Sequence, residues 1–416
     1  MTRKGWKACK LDELGFVGRG KSKHRPRNEP SLYGGPYPFF QTGDIKATDL
    51  YLRDYSQTYS EKGLAQSKLW EPGTLCITIA ANIAETAILG IRACFPDSVV
   101  GFVADPDKSD VRFIKYYIDT LKVRMQNISR GTTQDNLSVD KLLTFDFVVP
   151  PVATQRKIAG ILSAYDDLIE NNTRRIKILE EMARTIYREW FVEFRAPGVK
   201  LRKATPEEKK VTGKDVFPVG WKLKPLGDIA QEVRRSVQPD EVEPETPYFG
   251  LEHLPRKSIA LSEWGTASDV KSTKLAFKRG EFLFGKIRPY FHKVGVAPVD
   301  GVCSSDTIII VPQAPEFFAL VLACVSSEEF VNHATQTSQG TKMPRANWDV
   351  LTRYPVPIPS SPVLSRFNDL VQNIVAQIQN LVFRNRNLRC TRDLLLPRLV
   401  SGVLDVEKVE ARMGSQ

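Results

Sequence analysis

Between Thr154 and Phe194 the apolar residues recur in alternating steps of four and three. One row reads Ile158, Tyr165, Asn172, Leu179 and Ile186, and the other Leu162, Ile169, Ile176, Ala183 and Trp190. This spacing predicts a long helix whose stripe is the seam of a coiled coil. No glycine interrupts it between Ile161 and Pro197. At about 1.5 Å per residue, some forty residues would extend roughly 60 Å. The pattern returns 209 residues later as Phe367, Ile374, Leu381, Leu388 and Leu395 beside Val371, Ile378, Asn385, Arg392 and Leu399, with Pro397 expected to end it. Each stripe carries one asparagine, Asn172 or Asn385. A polar residue in a seam costs stability and fixes register. Two long helices of matched register, over 153–195 and 361–404, are expected to pair.

A shorter-period pattern precedes each helix. In the first part, residues 1–152, a short helical stretch is expected near Leu11–Leu14 and strands around Glu71–Ile79, Val99–Ala104 and Thr144–Val149, with a helix from Phe113 to Met125. A polar loop, Arg130 to Asn136, lies between that helix and the last strand. Residues 196–216 are charged, lack an apolar period and read as a linker, and 405–416 read as a tail. In residues 217–360 the frame repeats. Gly220-Trp221-Lys222 echoes Gly5-Trp6-Lys7, and Gln339-Gly340-Thr341 echoes the Gly131-Thr132 loop at the offset of the helices. The chain therefore reads as a tandem duplication of a mixed α/β (α+β) domain and a long helix. Frames agree while interiors diverge, which suits two domains of one shape with different targets.

Charge narrows the partners. Lys and Arg number 59 against 48 Asp and Glu, a net charge of +11, which favours a polyanion. The N-terminal residues have no apolar stretch of the secretory kind, and the longest apolar runs, such as Phe317–Val325, are too short to span a bilayer, so a soluble, cytoplasmic protein is expected. Six scattered cysteines and four scattered histidines give no metal-ligand spacing.

Two motifs suggest chemistry that their surroundings oppose. Gly15-Phe-Val-Gly-Arg-Gly20-Lys21-Ser22 fits a phosphate-binding loop, but Pro26 and Pro30 forbid the helix such a loop needs. A basic loop beside a nucleic-acid backbone is the alternative, with a plain surface loop as the other. Asp240, Asp269 and Lys271 fit the loose pattern of a metal-dependent nuclease, which requires carboxylates on adjacent strands. Asp240 falls in a proline-rich loop. The better candidates for contact with nucleic acid are Arg130, Thr132, Thr133 and Gln134 in the first polar loop and Gln339, Thr341, Lys342 and Arg345 in the second. Lys286, Arg288 and Tyr290, where bases alternate with aromatics, join them. Such side chains bond base edges or phosphates.

The frame residues resemble the specificity (S) subunit of type I restriction–modification systems over nearly the whole chain. They are Gly-Trp-Lys at each domain start, the Gly-Thr loops, Pro150-Pro-Val-Ala-Thr-Gln-Arg-Lys-Ile158, Asn171-Asn172, Leu179-Glu-Glu-Met-Ala183, Trp190-Phe191 and Arg392-Asp-Leu-Leu-Leu-Pro-Arg-Leu-Val-Ser-Gly402. The resemblance implies two target-recognition domains, each reading one half of a split duplex DNA site, and two helices packed as an antiparallel coiled coil in a pseudo-twofold duplication. It implies a non-catalytic role in defence against foreign DNA, with two methyltransferase subunits docked on the helices and restriction/translocase subunits in the full complex. No cofactor would belong to this chain. S-adenosylmethionine would sit on the methyltransferase partner, and ATP and Mg on the restriction partner. Other restriction types share this layout and remain open. Gln155 has Leu364 as its counterpart in the second copy, which suggests a difference in docking between the two copies. The competing readings are a nuclease using Asp240, Asp269 and Lys271, and a coiled-coil scaffold that binds no nucleic acid.

Overall fold

The structure is a computed structural model that describes residues 5–130 and 137–407. Its contacts divide the chain into two units: residues 1–170 with 387–416, and residues 171–386. The division cuts both long helices rather than falling at their ends. Each unit therefore contains a globular domain and a stretch of each helix.

In the first unit, a five-stranded sheet carries in order Gly15–Arg19, Val99–Ala104, Leu75–Thr78, Thr86–Leu89 and Tyr51–Leu52. Leu75–Thr78 and Thr86–Leu89 are buried on both faces, which is why their sequences run apolar without alternation. A second sheet of four strands is built from Gln57–Tyr59, Tyr33–Phe39, Ala93–Cys94 and Leu69–Trp70. The helix Val111–Arg130 covers the first sheet with Phe113, Ile114 and Ile118 in a shared core. Lys7–Cys9 pairs antiparallel with Phe147–Val149, bringing the start of the domain beside the start of the long helix.

The second unit repeats this plan. Ala230–Glu232, Thr307–Pro312, Phe282–Gly285 and Val294–Val296 form one sheet. Ser236–Val237, Lys274–Phe277, Gly301–Cys303, Pro247–Phe249 and Gly265–Thr266 form the other. Lys222–Pro225 pairs with Pro355–Ile358 as Lys7–Cys9 does with its partner. Trp221 is buried against Phe191, ring centroids 5.4 Å apart, and against Phe194. The Gly-Trp frame is thus a packing feature.

The long helices run Val152–Tyr187 and Ser361–Val400, and the first continues into one π-helical segment, Arg188–Val192. Pro397 lies inside the last turn instead of ending the second helix, which continues to Val400. In the first unit, Ile158, Ala159 and Leu162 share a core with Leu399 and Val400. In the second unit, Ile176 clusters with Ile374, Ile378 and Leu381, while Phe191 meets Phe367 edge-on at 4.6 Å. Within each unit, rising numbers on one helix meet falling numbers on the other. Asn172 and Asn385 face each other, the Nδ2 of one donating to the Oδ1 of the other at 2.9 Å. Arg392 of the second stripe finds a buried partner, Asp166, which also accepts from the Tyr116 hydroxyl. Asp166 lies beside Tyr165 and outside both stripes read from the sequence.

Two expectations are corrected. The linker folds: Leu201–Lys203 pairs with Val216–Pro218 around a helix, Pro206–Thr212, capped by Thr205 and Glu208. The tail contributes Val406, which is 3% exposed and packs into the first unit's core because it is apolar and follows a chain reversal at Ser401–Gly402.

Candidate nucleic-acid interface

In the second domain two stretches separated in sequence, Lys286–Tyr290 and Gln339–Arg345, form one surface. Strand Phe282–Gly285 delivers Lys286, whose N–H donates to Asp306 O at 2.9 Å. Arg288 takes a left-handed conformation, φ 49°, and turns the chain into the single 3-10 turn Pro289–Phe291. The loop that follows Ser338 is closed by reciprocal backbone bonds between Gln339 and Arg345, at 3.0 and 2.8 Å. Gly340 supplies the tight reversal with φ 98°, a region unfavourable to side chains. Arg288 N–H donates to Pro344 O at 2.7 Å and Ala346 N–H to Lys286 O at 2.9 Å, so the loop lies directly along the first stretch.

This arrangement sets the electrostatics. Lys342, Thr341, Gln339 and Arg345 are exposed, Lys286 and Arg288 half-buried, and Tyr290 is 51% exposed. Arg345 has one acidic neighbour, Asp306, at 3.5 Å across a solvent-exposed gap, where ion pairs are weak. Arg288 reaches Lys342 O at 3.4 Å and lies over the Phe291 ring, on which Arg256 stacks at 4.1 Å. The Arg288 Nε is buried and has no partner among the described residues. Lys293 is held below the usual lysine range by burial and then by the charge of Arg256. Cations spread over aromatic faces, with few carboxylates, suit a polyanion carrying bases that stack. Arg256 and Asp306 were missed from sequence because their roles depend on the fold bringing them to this loop.

Among the described residues, the corresponding place in the first domain shares some backbone features. Leu137 N–H donates to Ile79 O at 2.9 Å, as Ala346 does to Lys286, and Ala81 and Ala84 have left-handed conformations as Arg288 and His292 do. Thr132, Thr133 and Gln134 lie outside the described residues, and Arg130 is the last residue of its helix.

The helix-pairing candidates fall on one side of each helix. Ile158, Leu162, Ile169, Asn172, Ile176, Trp190, Phe367, Val371, Ile374, Ile378, Leu381 and Asn385 are buried. Tyr165, Leu179, Ile186, Leu388 and Leu395 are half-buried. Gln155 is fully buried: its amide donates to Lys108 O and Pro150 O, and its oxygen accepts from Asp110 N–H at 3.0 Å. It holds the start of the first helix to its own domain, whereas its counterpart Leu364 packs in an apolar core.

The motifs of contrary chemistry fare differently. Gly15–Arg19 is a sheet strand. Asp240 and Asp269 sit in two separate 3-10 turns, Pro239–Glu241 and Ala267–Asp269, and not on adjacent strands. Among the described residues no three His, Cys, Asp or Glu side chains gather as a metal site would require, and no helix is long and apolar enough to cross a membrane. All six cysteines are free thiols.

Residues 3–181 match the family model for the type I restriction modification DNA specificity domain. The chain is 25% identical to the type I restriction enzyme MjaIX specificity subunit of Methanocaldococcus jannaschii, an alignment covering 98% of this chain and 95% of that one. It is 21% identical to the EcoDI specificity subunit of Escherichia coli over 92% of this chain and 86% of the other. In fold it is similar to the crystal structure of a type I restriction–modification S subunit from M. genitalium, with a TM-score of 0.58, 15% identity and coverage of 95% and 96%. With a matching first domain, relatives aligned over most of both chains and a shared fold, the chain is similar to the specificity subunits of type I restriction–modification systems.

Proposed function

We propose that this chain reads a bipartite duplex DNA target, one half-site per globular domain, and docks the methyltransferase subunits that modify it. The observation that carries this reading is the joining of Lys286–Tyr290 with Gln339–Arg345 into one cationic and aromatic surface on a domain whose plan is repeated in the other unit. Lysines and arginines on phosphates would position the duplex, while Gln339, Arg345 and Thr341 would meet base edges. In this reading the chain carries no cofactor. S-adenosylmethionine belongs to the methyltransferase partner, and ATP and Mg to restriction/translocase subunits where these join. The paired helices would hold the two readers at a set spacing.

The test is a map of adenine methylation in genomic DNA from cells expressing this chain with a cognate methyltransferase subunit, and from cells lacking it. A split motif that requires this chain is the expected result. Methylation indifferent to the chain would refute the reading.

A further inference from the structure

The basic stretch Arg19–Arg27 is left over from the phosphate-loop pattern, and it emerges from the first domain at an informative place. Gly20 N–H donates to Val99 O, Ile79 N–H to Ser98 O and Leu137 N–H to Ile79 O, each at 2.9 Å. The basic stretch therefore leaves the sheet at the same strand end to which Leu137 is bonded. Five cations, Arg19, Lys21, Lys23, Arg25 and Arg27, occur in nine residues. Asp97 answers Arg27 at 2.7 Å and Arg25 at 3.7 Å. Lys21 and Lys23 are exposed and have no carboxylate partner among the described residues.

Lys68, just before the strand Leu69–Trp70, comes to Lys21, since Ser67 Oγ donates to Lys21 O at 2.8 Å. Its ammonium stands 3.5 Å from the centre of the Trp70 ring and 4.9 Å from that of Phe16, which is 56% exposed. Gly18 and Gly101 make room for these rings: a Cβ on Gly18 would approach Phe16 to 2.8 Å, and one on Gly101 would approach Trp70 to 2.7 Å. Burial and the neighbouring Lys21 charge hold Lys68 below the usual lysine range. Two like charges kept together without a counter-ion form a site that an anion would relieve.

We propose that Lys21 and Lys68, with Lys23 beside them, grip the phosphate backbone of the DNA on the first domain. The assignment rests on the DNA-recognition reading and adds to it the residues that position the duplex without reading sequence. Such contacts weaken binding equally on all sequences when removed and leave the recognised motif unchanged.

The experiment measures affinity of the full chain with its methyltransferase partner for a duplex bearing the mapped site and for a scrambled duplex, across a range of salt. Lys21→Gln with Lys68→Met keeps the apolar stem on the rings and removes both charges. The expected result is a loss of about tenfold on both duplexes and a fall of roughly two in the slope of log affinity against log salt. Lys68→Arg, which keeps the charge, should retain the wild-type slope. An unchanged slope in the double variant overturns the proposal, as does a loss confined to the specific duplex. A wild-type protein with no preference between the duplexes would instead overturn the recognition reading, and the slope would still decide whether these lysines hold phosphate.

Discussion

Asn172 and Asn385 satisfy each other in the middle of two apolar stripes, and Asn385 also donates to Thr173 Oγ1 at 3.2 Å. Replacing Asn172 alone by leucine removes a donor to the buried Asn385 Oδ1 and sets an apolar group against it, which costs about 1–3 kcal/mol. Chemical denaturation should show that loss in the single variant and its near disappearance in Asn172→Leu with Asn385→Leu, because two leucines restore the seam. At the proposed recognition surface, charge should decide. Reversing Lys342 and Arg345 to glutamate should weaken recognition of one half-site only, read from methylation of DNA carrying each half-site with the other scrambled. Equal loss on both halves would place these residues in assembly instead.

At the scale of elements, the segment Leu201–Pro218 shows how local signals are overlooked. Thr205-Pro-Glu-Glu208 is a capping box, a start signal for a helix even where no apolar period exists. The Arg202 guanidinium, then the Thr205 N–H, hold the Glu208 carboxylate down to about 2. The folded value lies below the unfolded one, so this segment's stability is present above pH 4.5 and lost as pH falls towards 2. Limited proteolysis within 201–218 should accelerate across that window, and Glu208→Gln should remove the dependence. The long helices were legible because a seam is a local repeat that any window of the sequence displays. The proposed recognition surface was half legible. Lys286–Tyr290 and Gln339–Arg345 stood out separately by composition, but their joining depends on backbone bonds across more than fifty residues. Nor does spacing announce Asp166, whose value lies in Arg392 on the other helix. Removing one heptad from both helices in register should shorten the spacer between methylated half-sites. An unchanged spacer would refute the spacing role of the helices.

For the whole molecule, one plan of sheets and a long helix occurs twice in the chain while the sequences within it differ. Each unit depends on both long helices, and the first depends on the far end of the chain: Leu399, Val400 and Val406 lie in the same core as Ile158 and Leu162. A chain ending after Arg389 should lose amide protection in residues 5–130 while keeping it in the second domain, as hydrogen exchange would report. The same feature bears on biosynthesis. During translation, at about 5–20 residues per second, the first domain emerges early yet waits tens of seconds for the segment that closes its core. A nascent chain thus carries an open apolar surface through most of its synthesis, and a premature stop near the 3′ end of its message would leave the earliest-made domain unfinished.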